Sequence, residues 1–385
     1  MVFLFCFSLS SFSQSQVLQL YMQNFLRADL VAKAELLKKA EGDAAMSGYT
    51  GQFYEYALQF AADNTGLLKN DPDMIKIVGI AADGLGKTGY SESLDVLWGL
   101  FLEYQDVPTG AEILIAIGKL GKENKYIINN INDFLMEKND LFIAGNNVNY
   151  ATISACIAAI LELGDSSSYP ALFAVLCANY PEIIEFEAHG AFELIPGNFR
   201  QFLLNIIEKS PPEEKFIAFK AGINSKKLSP SERGQLAEAA LEQSLVLSGI
   251  EDNADLFALR YEAVLALTPL RWTRANALAI RHYYRVQTDY QHNAAPKERL
   301  LEAIALLGAS GNSEAALVLG LQLGLINART ERTFVYDEEI TLAIVQSLGL
   351  IGDKAAFDHL LYVSMLSYPD DIQAAAKEAI TRLKW

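Results

Sequence analysis

Apolar residues recur three or four positions apart along most of the chain, and the pattern is clearest at Leu342–Asp353. There an apolar helical pattern ends at Leu348-Gly349. Gly352-Asp353 follows, and a second helical pattern begins after it. This spacing is typical of a helix with one buried face. Similar phrases occur at Leu301–Asn312, Ile153–Asp165 and Ile113–Glu123, with a fainter copy at Val78–Thr88. The pattern predicts repeated helical units.

Nearly every predicted element is a helix bounded by turn residues. Gln16–Glu41 and Gln52–Ala62 are helical but lack the repeated phrase, so residues 14–70 are predicted to be capping helices. Residues 71–385 are predicted to form the repeat array, with a less regular stretch at about 185–250. One predicted helix, Arg271–Tyr290, follows a stop at Thr268-Pro269.

Glycines mark the repeat, and they lie about 40 residues apart when the long central gap is taken as four units. They are Gly86, Gly121, Gly164, Gly311 and Gly352. A glycine that follows a helix is expected to adopt the left-handed conformation that ends it without strain on a Cβ atom. The Asp or Asn next to it is expected to cap the following helix.

The phrase resembles the bacterial HEAT-like repeat of the phycobilisome-lyase type. Ala343–Asp353 carries the resemblance best, followed by Ala303–Asn312 and Ala158–Asp165. The clear match covers roughly the last 90 residues and patches within residues 70–165. The resemblance implies an all-α fold, a right-handed α-solenoid of about eight stacked antiparallel helix hairpins.

Composition supports a folded helical protein and disfavours some partners. The 385 residues are 51% hydrophobic and 20% charged, which is typical of a globular chain. The net charge is -16. An acidic surface repels phosphate backbones and anionic membranes, so no nucleic-acid partner is expected.

The first 13 residues, MVFLFCFSLSSFS, are uncharged and mostly apolar. Ser11-Phe12-Ser13 has the small-x-small form that precedes a signal-peptidase cut, so residues 1–13 are predicted to be a signal peptide. Export to the periplasm or envelope follows from this prediction. The alternative is a cytoplasmic protein with an apolar N-terminus. No later run reaches the ~18 apolar residues of a membrane span.

The internal cysteines, Cys156 and Cys177, are predicted to lie at similar heights on two antiparallel helices. A disulfide is conceivable in an oxidising compartment, but packed helix axes are about 8–10 Å apart and a disulfide needs Cα atoms within about 7 Å. The favoured interpretation is two small core residues.

One stretch, Ala81–Thr88, matches a relaxed phosphate-loop pattern. A phosphate loop needs a strand before it and free backbone N–H groups, whereas here an amphipathic helix precedes the stretch. Asp83 would also repel phosphate, and Gly86 is one of the glycines that recur in the helical repeat. The helical-repeat interpretation is therefore preferred, and no cofactor site is predicted.

The four histidines show no metal-ligand spacing, and they are predicted to be surface or partly packed residues. They are His189, His282, His292 and His359. No serine lies in a nucleophile-elbow motif, and the internal cysteines lack a nearby histidine. The sequence thus predicts no catalytic residue and no metal site.

A basic, aromatic strip on the predicted helix Arg271–Tyr290 is the candidate surface for a protein partner. At 100° per residue its arginines fall within about one third of the helix circumference. The strip would suit a carboxylate-rich partner, or else it is a solvated face with local salt bridges. The candidate residues are Arg271, Trp272, Arg274, Arg281, Tyr284 and Arg285.

Three functions remain open from the sequence. The leading hypothesis is a non-catalytic scaffold or adaptor that binds an unidentified protein along an extended helical surface. The resemblance also permits a lyase-like enzyme or enzyme accessory. A helical-repeat protein that binds nucleic acid is the third, and the net charge opposes it.

Overall fold

The computed structural model describes residues 5–105, 108–247 and 253–385; side chains are described from residue 16 onward, except that of Leu247. These residues form helices and turns with no β-strand, apart from one isolated bridge between Asp353 and Lys384. Within the same ranges no helix is long and apolar enough to cross a membrane. The chain divides into two compact units, Met1–Asn198 and Phe199–Trp385.

The first unit contains eleven α-helices in its described part. They are α1 Phe5–Arg27, α2 Leu30–Gly42, α3 Thr50–Asp63, α4 Thr65–Leu68, α5 Pro72–Thr88, α6 Leu94–Tyr104, α7 Pro108–Leu120, α8 Lys125–Ile143, α9 Tyr150–Leu163, α10 Tyr169–Cys177 and α11 Glu182–Leu194. Helices α3, α5, α7, α9 and α11 pack side by side in that order. Helices α8 and α10 pack against each other in a second row.

The second unit repeats this alternation. Its helices are α12 Phe199–Lys209, α13 Pro212–Asn224, α14 Pro230–Leu247, α15 Ala254–Leu270, α16 Asn276–Gln291, α17 Lys297–Ser310, α18 Ser313–Thr333, α19 Glu338–Ile351, α20 Phe357–Val363 and α21 Asp370–Thr381. The odd-numbered helices α13 to α21 form one row. The even-numbered helices α12 to α20 form the other.

The core is built from apolar residues at the predicted spacing. In α9 the residues Ile153, Cys156, Ile157 and Ile160 are buried, at positions i, i+3, i+4 and i+7. Helix α9 packs against α7 and α11 in its own row and against α8. Because helices of one row also pack against helices of the other, as α8 does with α9 and α18 with α19, the core runs between the two rows of each unit.

The prediction for the repeat glycines is correct at two positions and wrong at three. Gly164 and Gly352 end their helices in the left-handed conformation, with φ of 63° and 70°. Gly86 lies inside α5, which ends at Gly89 (φ 70°), and neither Gly121 nor Gly311 has a positive φ.

Close packing explains glycine at Gly121 and Gly311, where the backbone does not require it. A Cβ atom at Gly121 would lie 2.9 Å from the carbonyl oxygen of Ile117, and one at Gly311 would lie 2.3 Å from that of Leu307. The capping prediction holds at Asp165, Asn312 and Asp353, whose side chains accept hydrogen bonds from backbone N–H groups at the start of the next helical turn.

The predicted helix Gln16–Glu41 is in fact two helices. Asp29 separates them, and its carboxylate accepts a hydrogen bond from the Ala32 N–H at 2.8 Å. The Lys33 ammonium turns back and donates to the carbonyls of Leu26 and Ala28 at the end of α1. The proposed signal-peptide cut after Ser13 falls within the span of α1, and Met1–Leu4 lie outside the described residues.

The predicted stop at Thr268-Pro269 is wrong, because α15 continues to Leu270. Pro269 lies in the last turn of the helix, where its missing N–H costs a single intrahelical hydrogen bond. Arg271 then ends α15 in the left-handed conformation, with φ of 49°. Trp272 and a short 3₁₀ turn at Thr273–Ala275 separate α15 from α16, so Arg271–Tyr290 is not one helix.

Candidate functional site

The break after α15 distributes the six predicted partner-binding residues over three places. The step of 100° per residue does not apply from Arg271 to Arg285, because Arg271 itself is left-handed and a 3₁₀ turn follows it. The predicted continuous strip is therefore not present. Arg271 lies beside α17 and α19, Trp272 and Arg274 lie beside α14, and the other three residues lie on α16.

Trp272 and Arg274 are held by Glu238 of α14. The Trp272 indole N–H donates a hydrogen bond to the Glu238 carboxylate at 2.7 Å, and the Arg274 guanidinium lies 3.4 Å from the same carboxylate. The indole ring lies over Gly234, where a Cβ atom would be 2.6 Å away. These contacts hold the segment between α15 and α16 against α14.

Arg281, Tyr284 and Arg285 are exposed on α16. The Arg285 guanidinium pairs with Asp289 one turn later at 3.3 Å. The Tyr284 ring lies 5.7 Å from the buried Tyr283 ring. Of these three residues, only Arg285 forms an ion pair within the described part of the chain.

Arg271 opens onto a groove of about 450 Å³ formed by α15, α17 and α19, which we call the α17 groove. Its floor and walls are mostly small side chains, with one apolar rim residue and a few polar groups. The residues that line it are Thr268, Pro269, Arg271, Ala305, Gly308, Ala309, Ala343, Gln346, Ser347 and Leu350.

The groove exists because α17 and α19 approach closely through small residues. A Cβ atom at Gly308 would lie 2.8 Å from the Cβ of Ser347, and the Ser347 hydroxyl donates to the Ile304 carbonyl at 3.2 Å. The outward positions beside this contact are Ala305, Ala309 and Ala343, whose short side chains leave the space between the helices open.

Three functional groups border this apolar floor. Arg271 is exposed and forms no ion pair among the described residues. Gln346 is exposed on α19, and Leu350 stands at the rim with 55% of its surface accessible. The groove thus presents a planar cation, an amide and an apolar contact to the same side.

The first unit has a groove of similar size between α5 and α7, about 490 Å³, but its chemistry differs. Lys76, Lys119, Asp83 and Glu112 all line it, so cations and carboxylates are mixed. Asp83 is already paired with Lys87 at 2.8 Å. This stretch, Ala81–Thr88, lies wholly in helix α5, so it lacks the free backbone N–H groups of a phosphate loop.

One histidine departs from the prediction of surface or partly packed residues. His282 is fully buried on the inner face of α16, and neither ring nitrogen has a hydrogen-bond partner in the described part of the chain. Its ring lies 5.6 Å from the Tyr261 ring. Burial, together with the nearby charges of Arg260 and Arg299, lowers the pKa of His282 to about 3.

Both internal cysteines remain thiols. Cys156 is buried, and this burial raises the pKa of its thiol, so it is not a reactive nucleophile at neutral pH. Among the described residues, no group of three or more His, Cys, Asp or Glu side chains could hold a metal ion.

Comparison with known proteins gives no family. No protein-family model and no curated protein matches the sequence. Among solved structures, a crystal structure of an engineered protein from the Northeast Structural Genomics Consortium aligns over 95% of this chain and 98% of its own. The identity is 13% and the TM-score is 0.37, a level at which the match does not define the fold.

The sequence pointed to Arg271 but not to the groove beside it. The floor residues belong to α17 and α19, more than 30 residues further along the chain. A signal for them was present, since Ala305, Ala309 and Ala343 occupy outward helix positions at which polar residues are the norm.

Proposed function

We propose that this protein is a non-catalytic scaffold that binds a segment of another protein, and that the α17 groove is the binding surface. The observation that carries the proposal is an open groove with an apolar floor and, at its edge, an arginine that forms no ion pair with the described residues. A stacked helical architecture offers such extended surfaces for partners.

The groove chemistry suits a particular kind of segment. The Arg271 guanidinium can form two parallel hydrogen bonds with a carboxylate. The alanine floor and Leu350 suit an apolar side chain nearby, and the Gln346 amide can hydrogen-bond to the backbone of the segment. We infer a partner segment with a carboxylate beside an apolar side chain.

At the level of architecture, we propose that the two-row units belong to a right-handed α-solenoid of HEAT-like hairpins, about eight in number. The support is the alternation of helices between rows in each unit and the helical pairs at about 40-residue spacing. The apolar N-terminal segment supports export, and we place the protein in the periplasm or envelope.

A pair of matched substitutions tests the groove. Ala305→Trp fills the α17 groove, whereas Ala277→Trp adds the same side chain to an exposed alanine of α16 outside it. Each variant and the wild-type protein would capture partners from the native envelope fraction, and affinity for a recovered partner would then be measured with purified proteins.

We expect Ala305→Trp and Arg271→Glu to weaken binding at least tenfold and Ala277→Trp to leave it unchanged. Equal affinities for all four proteins would refute the groove as the binding surface.

A further inference from the structure

The outer face of α18 carries three exposed leucines in a row. Leu317, Leu321 and Leu325 have 53%, 63% and 69% of their surface accessible. A step of four residues turns about 40° around a helix, so the three lie within an arc of about 80°. The inner face, with Leu319, Gly320 and Leu323, is buried against the rest of the second unit. An exposed apolar stripe of this kind marks an interaction surface.

Charged residues of opposite sign bracket the stripe. Glu314 precedes it, and Arg329 and Arg332 follow it in the same helix. Glu331 also lies at the C-terminal end, on the side of the helix opposite Arg329, and its carboxylate accepts a hydrogen bond from the Tyr362 hydroxyl, so two cations and one carboxylate follow the stripe. At 100° per residue, Glu314 and Arg332 lie within about 20° of Leu321 around the helix axis, and Arg329 lies about 80° away. All three are exposed, and none belongs to an ion pair within the described ranges.

This order of charges lets the α18 surfaces of two copies attract each other when the helices pair in antiparallel orientation, but not when they pair in parallel. When two copies of α18 pair in antiparallel fashion about Leu321, leucines meet leucines and each Glu314 lies near the arginines of the other copy. Parallel pairing would instead place acid against acid and base against base. A two-fold axis uses the same patch on both copies, which is the commonest form of self-association.

We propose that two copies of this chain associate through antiparallel contact of the α18 leucine stripe, Leu317, Leu321 and Leu325. The stripe shares no residue with the α17 groove, so this proposal stands or falls independently of the proposed function. Three leucines cover only part of the roughly 800 Å² per partner found in stable interfaces, so the dimer is expected to be weak, with a Kd in the micromolar range.

Analytical ultracentrifugation of the full chain tests the contact. The wild-type protein should shift from a mass of 42.4 kDa towards twice that value as its concentration rises through the micromolar range. Leu321→Glu should raise the dimer Kd at least tenfold. The matched control is Leu265→Glu on α15, a leucine with 48% of its surface accessible, which should leave the Kd unchanged. Circular dichroism verifies that both variants fold.

A charge-exchange experiment tests the orientation. Glu314→Arg alone, and Arg329→Glu with Arg332→Glu, should each weaken self-association because like charges then meet at both ends. An equimolar mixture of the two variants should recover the wild-type association, because opposite charges again meet. The proposal is overturned if the wild-type chain stays monomeric throughout, if Leu321→Glu associates like wild type, or if the mixture fails to recover.

Discussion

At the scale of single residues, His282 is the side chain whose environment most restricts its chemistry. It is surrounded by Tyr261 and two arginines, and both ring nitrogens lack hydrogen-bond partners among the described residues. A buried imidazole in such a place stays neutral because the charged form would be both desolvated and repelled. The folded protein therefore binds a proton at His282 far less readily than the unfolded chain does.

This difference predicts a pH dependence of stability. The unfolded pKa is about 6.5 and the folded pKa about 3, so the unfolded state binds more protons as pH falls below 6.5. The free energy of unfolding should be independent of His282 above pH 6.5 and should then fall by up to about 1.4 kcal/mol per pH unit, until the pH approaches 3.

Urea unfolding of wild type and His282→Leu at several pH values between 7 and 4 measures the effect. The stability of wild type relative to this variant should decrease steadily as pH falls, since contributions from the carboxylates are common to both proteins. His292→Gln, at an exposed histidine, serves as the control and should follow wild type. Parallel pH profiles for wild type and His282→Leu would contradict the prediction.

At the scale of helices, the end of α5 shows what a glycine does when the backbone requires it. Gly89 ends α5 with φ of 70° and has open space around its Cα, so the left-handed conformation alone favours glycine there. Gly99, within α6, also has open space but an ordinary helical backbone. The two positions therefore separate the conformational effect from packing.

We expect opposite effects of alanine at these two positions. Gly89→Ala should destabilise the protein by about 1 kcal/mol, because a Cβ atom strains the left-handed conformation. Gly99→Ala should stabilise it by up to about 1 kcal/mol, because alanine loses less entropy in a helix. Chemical denaturation measures both, and a loss of stability at Gly99 as large as that at Gly89 would argue against this assignment.

The same helices show how far the sequence predicts the structure. Periodicity and caps predicted the all-helical class, most of the helices, and the glycine ends at Gly164 and Gly352, because these depend on local chemistry. The roles of Gly121 and Gly311 were not predictable, since they depend partly on side chains that other helices bring close: Leu163 would lie 3.1 Å from a Cβ atom at Gly121, and Ile351 would lie 2.8 Å from one at Gly311. The break at Arg271 was missed because Pro269 lies in the last turn of α15, where it does not stop the helix, and because an arginine rather than a glycine adopts the left-handed conformation there.

At the scale of the whole molecule, the chain consists of two compact units, each with both rows of helices and a core of its own. Compact units with separate cores are able to fold alone. Residues 199–385 should therefore fold as an isolated fragment, with a helical circular dichroism spectrum and a cooperative urea transition.

A shorter fragment provides the control for this prediction. Residues 276–385 lack α15, against which α17 packs, and they should unfold at lower urea concentration or remain partly unfolded. If the fragment 199–385 lacks helical structure while the full chain is folded, the second unit depends on the first and the division into separately folding units is wrong.

Arg271 occupies a position whose backbone geometry favours a different amino acid. A left-handed residue at the end of a helix is usually glycine, and an arginine there costs roughly 1 kcal/mol of conformational energy. Replacement by glycine would relieve that strain and at the same time remove the cation from the α17 groove. Arg271→Gly should thus give a more stable protein and, under the proposed function, weaker binding of the partner segment. Selection that retains arginine at this position would be acting on recognition at the expense of folding.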